Sequence, residues 1–158
     1  MIHAEPNVAA PRRRKPIAPS PTGAFLTEAQ VRAMPEADYM NPAQLDYFKS
    51  RLEALEVDLL DKAARTDVEI AAGATGADPV DRASAEEEHR MALASRARDA
   101  GQLIEVRAAI MRIEAGDFGY CSETGEPIGV ARLLVRPTTV LTTEAQQRQE
   151  TMSRRWRA

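Results

Sequence analysis

Apolar residues recur at alternating spacings of three and four through Leu45, Phe48, Leu52, Leu55 and Leu59. That spacing marks a narrow coiled-coil seam rather than the wider face of a globular helix. The polar positions before it supply a helix start: Asn41 as cap, Pro42 in the first helical position and Gln44 where a capping box puts it. The helix is predicted to run to about Ala72 and to stop in Gly73-Ala74-Thr75-Gly76. A second, intermittent line through Leu93, Ala97, Ala100, Leu103, Val106, Ile110 and Ile113 predicts another long helix ending at Gly116. Its start lies in Asp78-Pro79-Val80-Asp81-Arg82-Ala83, with either Asp78 capping ahead of Pro79 or Asp81 capping. Glu86, Glu87 and Glu88 then fall in the first turns, where negative charge complements the helix dipole. Two helices of roughly 30 residues reach about 45 Å, and a connection of about ten residues makes them antiparallel neighbours.

The seam thins toward the connecting loop. Lys62, Thr66 and Glu69 continue the first line, and alanines fill much of the second. Such a tip suits display better than packing. Ahead of the hairpin, residues 27–34 read as a short helix capped by Thr27, with Gln30 completing a capping box and Pro35 ending it. After Gly116 the segment Asp117-Phe118-Gly119-Tyr120-Cys121-Ser122-Glu123-Thr124-Gly125 suggests a hairpin or knuckle. Residues 132–138 read as an extended stretch ending at Pro137, and a last helix spans about 142–157, capped by Thr142 or Thr143.

The expected fold class is therefore mainly α: a long antiparallel coiled-coil hairpin, a small knuckle-like globular module and a C-terminal helix. The chain divides into a Pro/Arg-rich tail (1–25), a short helix and linker (26–39), the hairpin (40–115, tip at 73–84) and the C-terminal module (116–158).

Composition agrees. Of 158 residues only 4% are aromatic, which suits long helices around a thin seam. Five of the ten prolines lie in the first 21 residues, so this tail lacks the apolar surface to offset its ordering entropy and is expected to be disordered. No apolar run approaches a membrane span. The basic cluster Arg12-Arg13-Arg14-Lys15 is followed by no signal-like apolar stretch, and the expected compartment is the cytoplasm. The net charge is −3, while four basic residues and Glu5 make the first 25 residues +3. The body is thus acidic at −6, a poor stand-alone binder of phosphate backbones. A nucleic-acid-binding module and a generic coiled-coil adaptor are the alternatives to a regulator with a protein partner. No histidine near Cys121, metal cluster or glycine-rich phosphate loop supports an enzyme.

Three separated segments carry a resemblance: MNPAQLDYFKSRL, ADPVDRASAEEE and GDFGYCSETGEPIGVARLLVRPT. Over about residues 38–155 the chain resembles the DksA/TraR group of RNA polymerase-binding transcription factors. The resemblance implies a monomer whose coiled coil enters the secondary channel of bacterial RNA polymerase. It would alter promoter-complex lifetime without sequence-specific DNA binding or membrane association. It implies a polymerase-binding tip of Asp78, Asp81, Arg82, Ala83 and Ser84, with Asp81 and Ala83 matching the family's essential acid and alanine. It also implies a site for guanosine tetraphosphate (ppGpp) near Arg98, Arg132 and Arg136, although two positions usually lysine are Glu105 and Gln146 here.

Two Cys-x-x-Cys pairs usually bind a structural zinc in this group. The corresponding positions here are Cys121, Thr124, Thr142 and Ala145, which cannot form a tetrahedral zinc site. No metal is expected. The knuckle should instead be held by packing, with Phe118, Tyr120, Ile128, Leu133, Val135, Leu141, Met152 and Trp156 as candidates. Cys121 has no neighbouring cation in sequence to lower its pKa and reads as a small buried residue.

Overall fold

A computed structural model describes residues 26–72 and 79–157, leaving aside the side chains of residues 72 and 79–81. The tail at 1–25 and the loop expected at 73–78 lie outside the described residues. Five α-helices follow one another: α1 (Glu28–Ala33), α2 (Pro42–Ala72), α3 (Pro79–Ala115), α4 (Val130–Val135) and α5 (Thr143–Arg157), with a 3₁₀ turn at Glu36–Asp38. No strand occurs among the described residues. A single antiparallel bridge, Tyr120 with Pro127, marks the knuckle.

The caps act locally. Thr27 Oγ1 accepts from the Gln30 amide at 3.3 Å, and the Thr27 amide donates to Gln30 Oε1 at 2.8 Å, satisfying two of the donors a helix start leaves open. Met34, before Pro35, is extended and ends α1. At α2 the Asn41 side chain accepts from the Gln44 amide at 2.8 Å. Gln44 reaches back one residue further than a capping box requires, accepting from the Met40 amide at 2.8 Å. Met40 itself adopts a left-handed backbone, φ 53°.

The α2 seam is as the pattern predicts: Leu45, Phe48, Leu52 and Leu59 are buried and Leu55 is half-buried. The α3 seam departs from it in the upper half. Val106 is buried, and Leu103, Ile110 and Ile113 pack against the core, but Leu93 and Ala97 face solvent. Asp99 turns inward instead, only 7% exposed, and its Oδ1 accepts from Lys62 Nζ at 2.8 Å. Its Oδ2 has no protein partner. Further ion pairs cross the hairpin on either side: Lys49–Glu114 (3.5 Å), Arg107–Glu56 (2.6 Å) and Arg96–Asp67 (2.8 Å). Charge pairs thus flank the seam at the base and continue beyond it, through Lys62–Asp99 and Arg96–Asp67.

Gly116, at φ 80°, ends α3. The Gly116 amide bonds Ile113 O, and the Asp117 amide bonds Arg112 O at 2.9 Å, which is a Schellman stop. The chain turns back into the knuckle, where Phe118 sits 5.3 Å from Phe48, centroid to centroid. Tyr39 stitches the knuckle to the hairpin. Its hydroxyl donates to Gly119 O at 2.5 Å and accepts from the Gly129 amide at 3.0 Å, while its ring meets Tyr120 edge-on at 5.6 Å. Burial raises the Tyr39 pKa, aided by Tyr120 and opposed by the amides of Gly129 and Ile128. Gly119 is required here: φ is +88°, and a Cβ would lie 2.7 Å from Met40 Cγ.

Two expectations need correction. The stretch expected to be extended forms α4, with Leu133 and Leu134 buried and the helix packed on α1. Gly129 (φ 96°) turns the chain into it, and Arg136 becomes extended only just before Pro137. A six-residue apolar run is too short to reveal a helical period. Of the eight residues expected to hold the knuckle, Phe118, Ile128 and Leu133 are buried, and Tyr120 and Leu141 pack against the core. Val135, at the end of α4, is 84% exposed, and Met152 and Trp156 (87%) face solvent because α5 projects from the module with only Ala145 buried.

Tyr39→Phe removes both hydroxyl bonds and leaves the Gly129 amide without its acceptor, while the Gly119 carbonyl keeps the Ile128 amide. It should lower unfolding free energy by about 1–3 kcal/mol in urea denaturation. Lys62→Met leaves the Asp99 carboxylate covered and unpaired, so it should lower the melting temperature. The double change Lys62→Met with Asp99→Leu should recover or exceed the parent value, because it removes the covered Asp99 carboxylate along with its partner.

Candidate functional site: hairpin tip, knuckle and basal groove

At the distal end, α3 starts at Pro79. Asp81 is therefore the third residue of the helix rather than the one ahead of it, so it does not hold the N-cap position. Of the two cap assignments, the Asp81 one is corrected; Asp78 lies outside the described residues. Arg82, Ala83 and Ser84 are exposed on the first turns.

At the knuckle, Cys121 is buried and unpaired. The Thr142 hydroxyl lies 4.0 Å from its sulfur and caps α5 by accepting from the Ala145 amide at 3.3 Å, so Thr142 is the cap. The Thr124 hydroxyl lies 3.0 Å from Glu126 Oε2. Burial raises the Cys121 pKa, but the Thr124 hydroxyl and the amides of Thr142, Thr124 and Glu123 outweigh it, bringing the thiol from its ordinary 9.0 down to about 7. The expectation that nothing lowers this thiol is thus corrected. The donors are one hydroxyl and three backbone amides that only the folded knuckle assembles. One thiol, two engaged hydroxyls and the Ala145 methyl do not fit tetrahedral zinc. No cluster of three His, Cys, Asp or Glu able to hold a metal occurs among the described residues.

At the hairpin base, Arg98 and Arg136 line one groove of about 730 Å³ with Arg51, Asp58 and Glu105. Arg136 Nη2 pairs with Glu105 Oε2 at 3.2 Å, and the Thr138 hydroxyl bonds the same oxygen at 3.2 Å. Arg132 is not part of this groove; its guanidinium bonds the Thr143 hydroxyl at 3.2 Å and the Gln146 amide oxygen. A second groove, between α3 and α5, adds Arg112, Arg154 and Arg157 around Gln146. Sequence reasoning missed Arg51 and these three. The nearest signal was the basic run ending α5, and nothing along the chain brings Arg51 to the module. Arg112 is half-buried: it stands over the Phe118 ring at 5.8 Å, and desolvation lowers its pKa.

The comparisons with known proteins decide what this arrangement belongs to. Residues 44–113 match the model for the DnaK suppressor protein DksA, N-terminal domain, and residues 116–150 match the prokaryotic dksA/traR C4-type zinc finger. The chain is 38% identical over 131 residues to the RNA polymerase-binding transcription factor DksA of Caulobacter vibrioides, covering 82% of this chain and 92% of the relative. The chain belongs to the DksA/TraR family. The DksA protein of Salmonella typhimurium is 41% identical over 108 residues, 68% of this chain and 72% of that one. The solved structure of transcription factor DksA2 from Pseudomonas aeruginosa superposes with a TM-score of 0.73 at 38% identity, covering 81% of this chain and 99% of that one. The DksA zinc-finger match thus spans a knuckle with one of its four cysteines.

Because the folded knuckle favours the Cys121 thiolate, its contribution to stability is complete above about pH 9 and is lost as pH falls through about 7. Unfolding free energies of the parent and Cys121→Ser should therefore diverge progressively from pH 7 to 9. Parallel curves would refute the assigned donors.

Proposed function

We propose that this protein is a non-enzymatic transcription regulator that acts on bacterial RNA polymerase in the cytoplasm. In this reading its hairpin enters the secondary channel and alters promoter-complex lifetime. One observation carries the proposal: α2 and α3 pair into a slender probe ending in exposed Arg82, Ala83 and Ser84. The relatives' names point to the same partner. A passage that admits two helices and little else brings a tip carboxylate to the catalytic centre. Asp81 is the acid for that contact, alongside Asp78, and small Ala83 allows close approach. No helix among the described residues is long and apolar enough to cross a membrane.

The effector in this reading is guanosine tetraphosphate, held in the basal groove by Arg98 and Arg136. The Arg98 side chain has no hydrogen-bond or ion-pair partner among the described residues, whereas Arg136 must be drawn from Glu105. An acid at close range opposes a polyphosphate, so alarmone dependence is weaker than in a relative with lysine at this position. The fold is proposed to hold without zinc, since the knuckle donors already bond one another.

Multi-round transcription and promoter-complex decay with purified polymerase, with and without guanosine tetraphosphate, test the reading. The parent protein should shorten complex lifetime, and Asp81→Asn should abolish that effect while retaining polymerase binding. No effect in either condition would sink the proposal, and stoichiometric zinc in the purified protein would remove its metal-free part.

A further inference from the structure

The connected apolar core ends part-way up the hairpin. It reaches Leu59 on α2 and Leu103 on α3, and takes in no described residue between them. Beyond that level the least exposed positions of α2 are Ala63, Thr66 and Ile70, the last only half-buried. On α3 they are Asp99 and then Ser95, Ala92, His89 and Ala85, all but Asp99 half-buried. The larger apolar side chains of this half stand outward instead: Val68 is 70% exposed and Met91 61%. Apolar burial is what holds paired helices together, so the distal arms adhere far less than the base.

The layer at the boundary is polar and incompletely satisfied. Asp99 Oδ1 accepts from Lys62, while Oδ2 is covered and has no partner among the described residues. Thr66, the buried polar residue one turn further along α2, donates its hydroxyl to the Lys62 carbonyl at 3.1 Å and so bonds its own helix. A covered acceptor without a partner is a cost of the closed state, and parting the helices returns it to water. The other ion pair across these arms, Arg96–Asp67, leaves Asp67 57% exposed, and exposed pairs contribute little.

Gly101 stands two residues from Asp99, inside a helix of 37 residues. Glycine weakens a helix interior relative to alanine. A Cβ there would meet nothing within 4 Å, so packing within the chain does not call for glycine. It marks the place where α3 unwinds or bends most easily.

We propose that the hairpin beyond the Lys62–Asp99 layer is a separate cooperative unit. There the two arms part like a fork, with α3 giving way at Gly101, while the base stays closed. The closed state predominates, and in it both arms run straight on from the base. The polar layer sets how often they part, because opening hydrates Asp99 Oδ2 and sacrifices little apolar contact. Such a probe keeps a firm base and lets its far end adapt to the walls of the space it enters.

Native-state hydrogen exchange on the full chain, with no polymerase present, tests this independently of the transcription reading. Amides of residues 63–71 and 85–99 should share one protection level, on the order of 100-fold below that of residues 48–59 and 103–113. Their exchange should hardly respond to low urea, whereas the base amides follow global unfolding. Equal protection throughout, or protection that declines smoothly toward the tip without a step at the layer, overturns the unit. Lys62→Met with Asp99→Leu should slow distal exchange by about ten-fold or more; unchanged distal exchange there overturns the role of the layer. Gly101→Ala should slow distal exchange roughly five-fold. A glycine that stays helical in the open state would slow only the base amides, and that result overturns Gly101 as the hinge.

Discussion

Packing of Phe48 against Phe118 ties the two parts of this molecule together. A pair of helices can bury only one face of each, so a hairpin alone has no second layer to hold its direction. The knuckle supplies that layer at one end only. Phe118 enters the α2–α3 seam from the side, beneath Arg112, and is delivered there by the Schellman turn at Gly116. Tyr39 and Met40 close the joint from the other side, one by hydrogen bonds to two glycines and the other by filling the space above Gly119. Everything distal depends on this junction for its position.

The elements legible in the sequence were those with long periods or local chemistry. The α2 seam, the α3 stop at Gly116, and the Thr27 and Asn41 caps follow from side chains acting within a few residues of themselves. The α3 seam was legible only in its lower half. Leu93 is apolar and Asp99 is charged, yet Asp99 points inward, because Lys62 on the facing helix gives its carboxylate a partner there. That outcome depends on a residue 37 positions away, and spacing along one helix does not carry it. α4 was misread for a different reason: its apolar run matches strand and helix equally until Leu133 and Leu134 find α1.

The site divides in the same way. Arg98 and Arg136 share a groove as the resemblance implied, but Arg132 is turned to the start of α5 by Thr143 and Gln146. Arg51 joins the first groove, and Arg112, Arg154 and Arg157 the second, only through tertiary packing. The Cys121 surroundings are similarly non-local in kind. No cation marks them in the sequence, since the groups favouring the thiolate are a hydroxyl and backbone amides set by the turn.

Viewed mechanically, the hairpin is a cantilever clamped at one end. α2 has 31 residues and so extends about 46 Å, and each degree of tilt at the clamp sweeps its far end through about 0.8 Å. Aiming accuracy at the distal end is therefore decided by the stiffness of a joint made of two phenyl rings, a tyrosine hydroxyl and a glycine.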